Sequence, residues 1–203
     1  MLRCEARFKP AELIRFSRGD IVRVNFGFRI GNELGGNHYA IIIDTRNNKS
    51  SGLVTVIPLT SVKPTSAQNE YSHWLKVGVK DIAQQRCKKL LEETNRYAAE
   101  LEKAIDQLSE SKAITKDDID RIKREVDATR QKYEVAKRNV DEVNKMHDGS
   151  IANVGQIVTV SKQRILYPLK NSDVLYACSC ATDDMQEISK IVTKLFIDRG
   201  LKP

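Results

Sequence analysis

The sequence predicts a mainly β fold with helices: a small barrel or sandwich, backed by a C-terminal helix and interrupted by a long antiparallel α-helical hairpin. Three observations carry that expectation. Short β-prone runs separated by turn residues fill both ends of the chain, two stretches between them repeat apolar residues at helical spacing, and an acid-led amphipathic segment lies near the C-terminus. The expected layout is a first barrel part over residues 1–79, an inserted coiled-coil hairpin over 80–148, and a second barrel part with the final helix over 149–203.

The β-prone runs are Asp20–Phe26, Tyr39–Asp44, Leu53–Leu59, His73–Val77 and Ile151–Val160, and their spacing suits a small barrel or sandwich. Composition changes near Gly78 and again at Gly149. Between these glycines Cys87, Leu91, Thr94, Ala98, Leu101, Ile105 and Leu108 recur at steps of four and three. Ile119, Ile122, Val126, Thr129, Tyr133, Ala136, Val140 and Val143 do the same, so each helix carries one apolar seam. Thr115 is the expected cap of the second helix, with Asp118 as the capping-box acid and Ile114 and Ile119 as the apolar staple. The short polar linker Ser109–Ile114 joins seams of similar length, which predicts an antiparallel return. At roughly 1.5 Å per residue the arm would be about 40 Å long. In the last helix Thr182 is the expected cap, with Met185, Ile188, Ile191, Val192, Leu195 and Phe196 facing the barrel.

Composition narrows the classes of function. The chain has 203 residues of which 40% are apolar, enough for a real core. No run approaches the roughly 18 apolar residues of a membrane span. The opening MLRCEAR mixes acid and base where a secretory leader would be apolar, so a cytoplasmic location without a membrane segment is expected. Cys4, Cys87, Cys178 and Cys180 form no CxxC pair and have no histidine at zinc-ligand spacing; they read as free thiols, and no metal or other cofactor is expected. The formal charge of +7 is localised: residues 80–148 hold 16 basic and 16 acidic side chains, and the rest of the chain holds 18 basic against 11 acidic. A basic excess confined to the β module either marks a polyanionic partner, nucleic acid or an acidic protein, or serves solubility alone.

The stretch GNELGGNHYAIII, Gly31–Ile43, sets His38 between glycines and an apolar strand. The residues leave two readings open: a histidine packed at a strand start with its nitrogens bonded to backbone, or a proton-transfer group at an open loop. Trp74, in a β-prone run, is likewise open between core packing and stacking on a base.

Four pieces in order are RGDIV from Arg18, GNELGG from Gly31 ahead of an apolar strand, VIPLTS from Val56 and QIVTVSKQRI from Gln156, with a helix behind them. Together they resemble the MazF/PemK family of toxin endoribonucleases, with the hairpin outside the resemblance. The resemblance implies an SH3-like barrel that forms a homodimer, needs no metal, and is held inactive by a cognate acidic antitoxin. It also implies cleavage of single-stranded RNA, mRNA in the cell, by attack of a 2′-OH that leaves 2′,3′-cyclic phosphate and 5′-OH ends. Such a reaction needs a base, an acid and fixed groups around a phosphate whose charge grows in the transition state.

Carried onto this chain, the resemblance implies His38 and Thr60 as catalytic residues. His38 stands where the family usually has arginine, and imidazole can give or take a proton. Thr60 matches a family threonine at the scissile phosphate, with Ser61 beside it. Arg29 and Glu33 fall on a glycine-rich loop that is a mobile lid in relatives. Gln156, Lys162 and Arg164 complete the implied RNA contacts, the last two as the family's basic pair. Gly155 and Val158 replace an acid and an arginine that are common there, so the site carries fewer charges than its relatives. The alternative from a different class is a non-catalytic binding protein of the same architecture, like the gyrase poisons, or a scaffold acting through the groove or through the hairpin, whose partner the sequence does not name.

Overall fold

The computed structural model describes residues 8–28, 30–67, 69–110 and 114–198. Seven strands form one antiparallel sheet: β1 Ile21–Asn25, β2 Asn37–Ile42, β3 Leu53–Thr60, β4 Ser72–Trp74, β5 Ile151–Asn153, β6 Val158–Ser161 and β7 Ile165–Tyr167. Three helices accompany them: α1 Val79–Ser109, α2 Lys116–Asn144 and α3 Thr182–Val192. The strand order is β4-β5-β3-β2-β1-β7, with β6 beside the first half of β3.

Strands β6 and β7 stand at opposite edges of the β6-β3-β2-β1-β7 array, yet only the 3₁₀ turn Lys162–Arg164 separates them in sequence. The four steps from the end of β6 to the start of β7 span about 14 Å at most, whereas four strand spacings in a flat sheet come to roughly 19 Å. The sheet must therefore curl until its edges approach. The result is the SH3-like barrel in an open form, joined across the gap by chain and not by a ladder. Alternate residues point inward: Val22, Val24, Ala40, Ile42, Val54, Val56, Val160 and Ile165 form the core with Phe16. Ile21, Ile41 and Ile57, on the opposite face, are equally solvent-free. Burial on both faces explains why these strands read as nearly continuous apolar runs.

The chain leaves the sheet at Gly78 and returns at Gly149, where the two backbones nearly touch: a Cβ on Gly78 would lie 3.2 Å from the Gly149 Cα. Ser150 closes this neck, its carbonyl accepting from the Leu75 amide and its hydroxyl from the Val79 amide. Gly149 has φ +65° and a Cβ there would meet Val62 Cγ2 at 2.7 Å. Gly149→Ala is expected to destabilise the β module by about 1–3 kcal/mol through strained backbone and overpacking. Adding Val62→Ala should recover the steric part only, a split that denaturant midpoints of the single and double variants would measure.

Helix α3 departs from expectation at both ends. Its cap is Ala181, which makes no side-chain cap bond, and Thr182 is the first helical residue. Asp184 turns inward instead, buried to 1% exposure. Its carboxylate accepts from His73 Nε2 at 2.9 Å and from the Lys76 amide at 3.1 Å, tying α3 to β4 and the turn after it. Ile188 is fully buried, but Phe196 is 51% exposed, because the last turn widens into the π-type segment Thr193–Ile197. The apolar face of α3 is thus fully covered at Ile188 and half-covered at Ile191 and Val192, and Phe196, beyond its end, stands open.

The chain divides into two compact units, residues 1–83 with 146–203, and residues 84–145. In the second unit α2 begins with the expected capping box: the Thr115 hydroxyl accepts from the Asp118 amide, and the Asp118 carboxylate accepts from the Thr115 amide. The helices touch where Lys132 Nζ sits 3.0 Å from the centre of the Tyr97 ring, and where Ile105 and Leu108 share a concavity with Ile119 and Ile122. Each seam, expected to close as one, separates into two columns. Cys87, Thr94, Ala136 and Val143 are buried, while Leu91, Ile105, Ile119, Val126 and Tyr133 are exposed.

Candidate functional site

The register of β3 changes abruptly along its outer edge. Val56 pairs with Val158 and Leu59 with Ala152, so three residues of β3 face six of the returning chain. The surplus is the 3₁₀ turn Val154–Gln156, which lifts Gln156 off the sheet. Its amide then makes two bonds to the glycine-rich loop: Oε1 accepts from the Leu34 amide at 2.9 Å, and Nε2 donates to the Asn32 carbonyl at 3.0 Å. The loop base is closed by the Phe26 amide on the Gly36 carbonyl and the Gly36 amide on the Gly27 carbonyl. Between loop and turn lies an open groove of about 700 Å³, lined by Phe26, Phe28, Glu33, Pro58, Thr159 and Arg164 among others.

The implied site residues divide by location. Glu33, Gln156 and Arg164 line the groove. Arg164 lies across Gly27, where φ is +79° and a Cβ would come within 3.0 Å of its guanidinium; it donates weakly to the Asn25 carbonyl at 3.4 Å. Lys162 points elsewhere. It is only 3% exposed and its ammonium donates to the Asn48 carbonyl at 3.0 Å. Burial pulls its pKa down, with the Asp44 carboxylate working against that shift. The basic pair is therefore split by the 3₁₀ turn, one member inside and one in the groove. Arg29 falls outside the described residues.

His38 lies in β2 on the same face as Ala40 and Ile42, at the mouth of the barrel interior. Its ring is tilted against Phe26, centroids 6.4 Å apart, and Phe26 reaches the groove. Nε2 is 3.0 Å from the Gly35 carbonyl. A carbonyl can only accept, so Nε2 carries a hydrogen, and in the neutral tautomer that follows Nδ1 is the acceptor. The β2–β3 ladder ends at Ala40 opposite Pro58, two residues short of His38 and Thr60, and Thr60 pairs instead with Ile151 of β5. The Thr60 hydroxyl accepts from Asn153 Nδ2 at a long 3.4 Å, and Ser61 follows at the strand end, half-buried.

Sequence reasoning missed Phe28, fully exposed at the groove; a lone aromatic in a glycine-rich loop was the available signal. His73 serves Asp184, and Trp74 is half-buried with its Nε1 enclosed. Cys87, Cys178 and Cys180 are buried thiols outside any disulfide, and burial foremost, then the Asp184 charge, pushes the Cys180 thiol up to about 12. Among the described residues no group of three or more His, Cys, Asp or Glu could hold a metal. None of the described helices is long and apolar enough to cross a membrane.

A scan against family models matches residues 17–127 to the PemK-like, MazF-like toxins of type II toxin-antitoxin systems. The match runs from just before β1 into α2, and so spans four strands and the first helix of the arm. Among curated proteins nothing matches. The chain belongs to the PemK-like, MazF-like toxin family of type II toxin-antitoxin systems.

Proposed function

We propose that this toxin is a metal-independent, sequence-specific endoribonuclease that cleaves single-stranded RNA by 2′-OH attack, working as a homodimer in the cytoplasm and restrained by a cognate acidic antitoxin. Members of the family are usually endoribonucleases. The observation that carries the finer reading is the groove between the loop and the Val154–Arg164 segment, with Arg164 in it and His38 against its Phe26 wall. His38 Nδ1 takes the proton of the 2′-OH as its oxygen bonds to phosphorus, since Nε2 is spent on Gly35; the P–O5′ bond breaks, and the departing 5′-oxygen takes its proton from water. Thr60 and Ser61 donate to the non-bridging oxygens, Arg164 holds a neighbouring phosphate, and Phe28 stacks on a base. Gln156 and Glu33 shape the wall, whereas Lys162 supports the turn that aims Arg164; Arg29 is proposed as a further RNA contact on the family resemblance alone.

Incubating pure protein with mixed-sequence RNA in EDTA, and mapping the fragment ends, tests the reaction. Cyclic phosphate and 5′-OH ends are expected; intact RNA at high protein concentration would support the non-catalytic binding reading. Affinity for a 2′-deoxy, uncleavable strand should fall with salt at a log–log slope of about −0.7 for each phosphate contact, and Arg164→Ala should flatten that slope by about one such step. A slope identical in parent and variant would remove Arg164 from the RNA path.

A further inference from the structure

The hairpin unit carries a surface that the proposed nuclease groove does not use. A column at step seven on each helix stays open to solvent: Leu91 is 38% exposed, Ile105 43%, Ile119 46%, Val126 41% and Tyr133 57%. The exposed Ala98 and the half-buried Val140 complete the two columns by spacing. In an antiparallel pair, equivalent positions of the two helices flank the contact line on the same side. The shared concavity at the tip, lined by Ile105, Leu108, Ile114, Ile119 and Ile122, bears this out. The two columns together make the a/d stripe of a coiled-coil seam, and the two-helix arm covers one column and leaves the other open.

Next to the α2 column, one position outward, stand Lys116, Lys123, Arg130 and Lys137, all exposed. Among the described residues none of the four is in an ion pair closer than 4 Å. Lys123 reaches the tip concavity itself. The matching flank on α1 is Lys88, Asn95, Glu102 and Ser109, so a second copy of the arm offers the basic rail one acid only. The acidic column of α2, Asp120, Asp127, Glu134 and Asp141, is the next row beyond the rail, four residues on from each of its cations and on the side away from the strip.

We infer that this face of the hairpin is a docking groove for an amphipathic helix of another protein, one with an apolar stripe and an acidic edge that lies along the rail of α2. The occupant completes a three-helix bundle, its anchors at helical spacing filling the strip. The arm is then a recruitment site independent of cleavage.

The test uses the full chain and a fluorescein-labelled designed helical peptide with leucines on one face and glutamates along one edge. Two controls share its length: a scrambled version without the stripe, and a version with lysine for glutamate. Anisotropy is expected to show saturable binding of the acidic amphipathic peptide alone. Ile105→Glu should weaken it by roughly tenfold or more, and Lys123→Glu with Arg130→Glu by about tenfold together while admitting the lysine peptide. Unchanged far-ultraviolet helicity keeps both variants interpretable, because all three positions are at the surface. Equal binding of scrambled and amphipathic peptides, or indifference to rail reversal, overturns the proposal. So does displacement of the peptide by single-stranded RNA from the Arg164→Ala chain, or a change of the parent's oligomeric state with Ile105→Glu, which would give the strip to RNA or to a second copy.

Discussion

His38→Gln is expected to lower RNA cleavage by about a hundredfold or more while leaving the fold and RNA affinity near those of the parent. Glutamine is the discriminating replacement because its amide nitrogen reaches the place of Nε2 and can still donate to the Gly35 carbonyl, 3.0 Å away in the parent. What it lacks is a nitrogen that accepts a proton at neutral pH. If His38 only holds the loop end, glutamine should restore most of what alanine loses. If Nδ1 is the base, glutamine and alanine fall together, and binding of an uncleavable strand stays within a few-fold in both. Single-turnover rates of the three proteins, with the thermal midpoint of each, make the comparison. Rates for His38→Gln close to the parent would remove the imidazole from proton transfer and turn attention to the binding reading.

The β strands and the two arm helices were legible because each obeys a local rule. Val22 and Val24, or Ala40 and Ile42, alternate with a period of two, and Thr115 with Asp118 spells its own cap. What sequence could not give is what depends on partners far along the chain. Lys162 and Arg164 read as a pair, but they begin and end a 3₁₀ turn that sends one inward to Asn48 and leaves the other in the groove. Gln156 reads as a polar strand residue, and only the surplus turn in the returning chain brings its amide to Asn32 and Leu34, more than a hundred residues away. The divided seam has the same origin. Spacing specifies that Leu91 and Cys87 share a stripe, but not how far each helix rotates about its axis, which packing at the contact line decides. Thr182 failed as a cap because the neighbouring Asp184 is committed to His73 and Lys76, which fixes where the helix must begin.

Asp184→Ala is expected to be the most damaging single change in the β module, costing about 2–4 kcal/mol. The residue is 1% exposed, and each carboxylate oxygen accepts one hydrogen bond from β4 or the turn after it. Alanine would strand the His73 ring nitrogen and the Lys76 amide without acceptors, and leave a void at the start of α3. The exposed Lys76–Asp183 pair beside it cannot compensate, since both side chains are mostly in water. Asp184→Asn keeps one acceptor and should fall between parent and alanine. Trp74, the chain's one tryptophan, follows His73 in β4, so its fluorescence reports this contact directly. A denaturant midpoint by Trp74 emission that falls well below the parent's, with the helical signal of the arm unchanged, is the expected result. Coincident midpoints would show that α3 is held by its apolar contacts around Ile188 alone, and that the buried carboxylate contributes position without net stability.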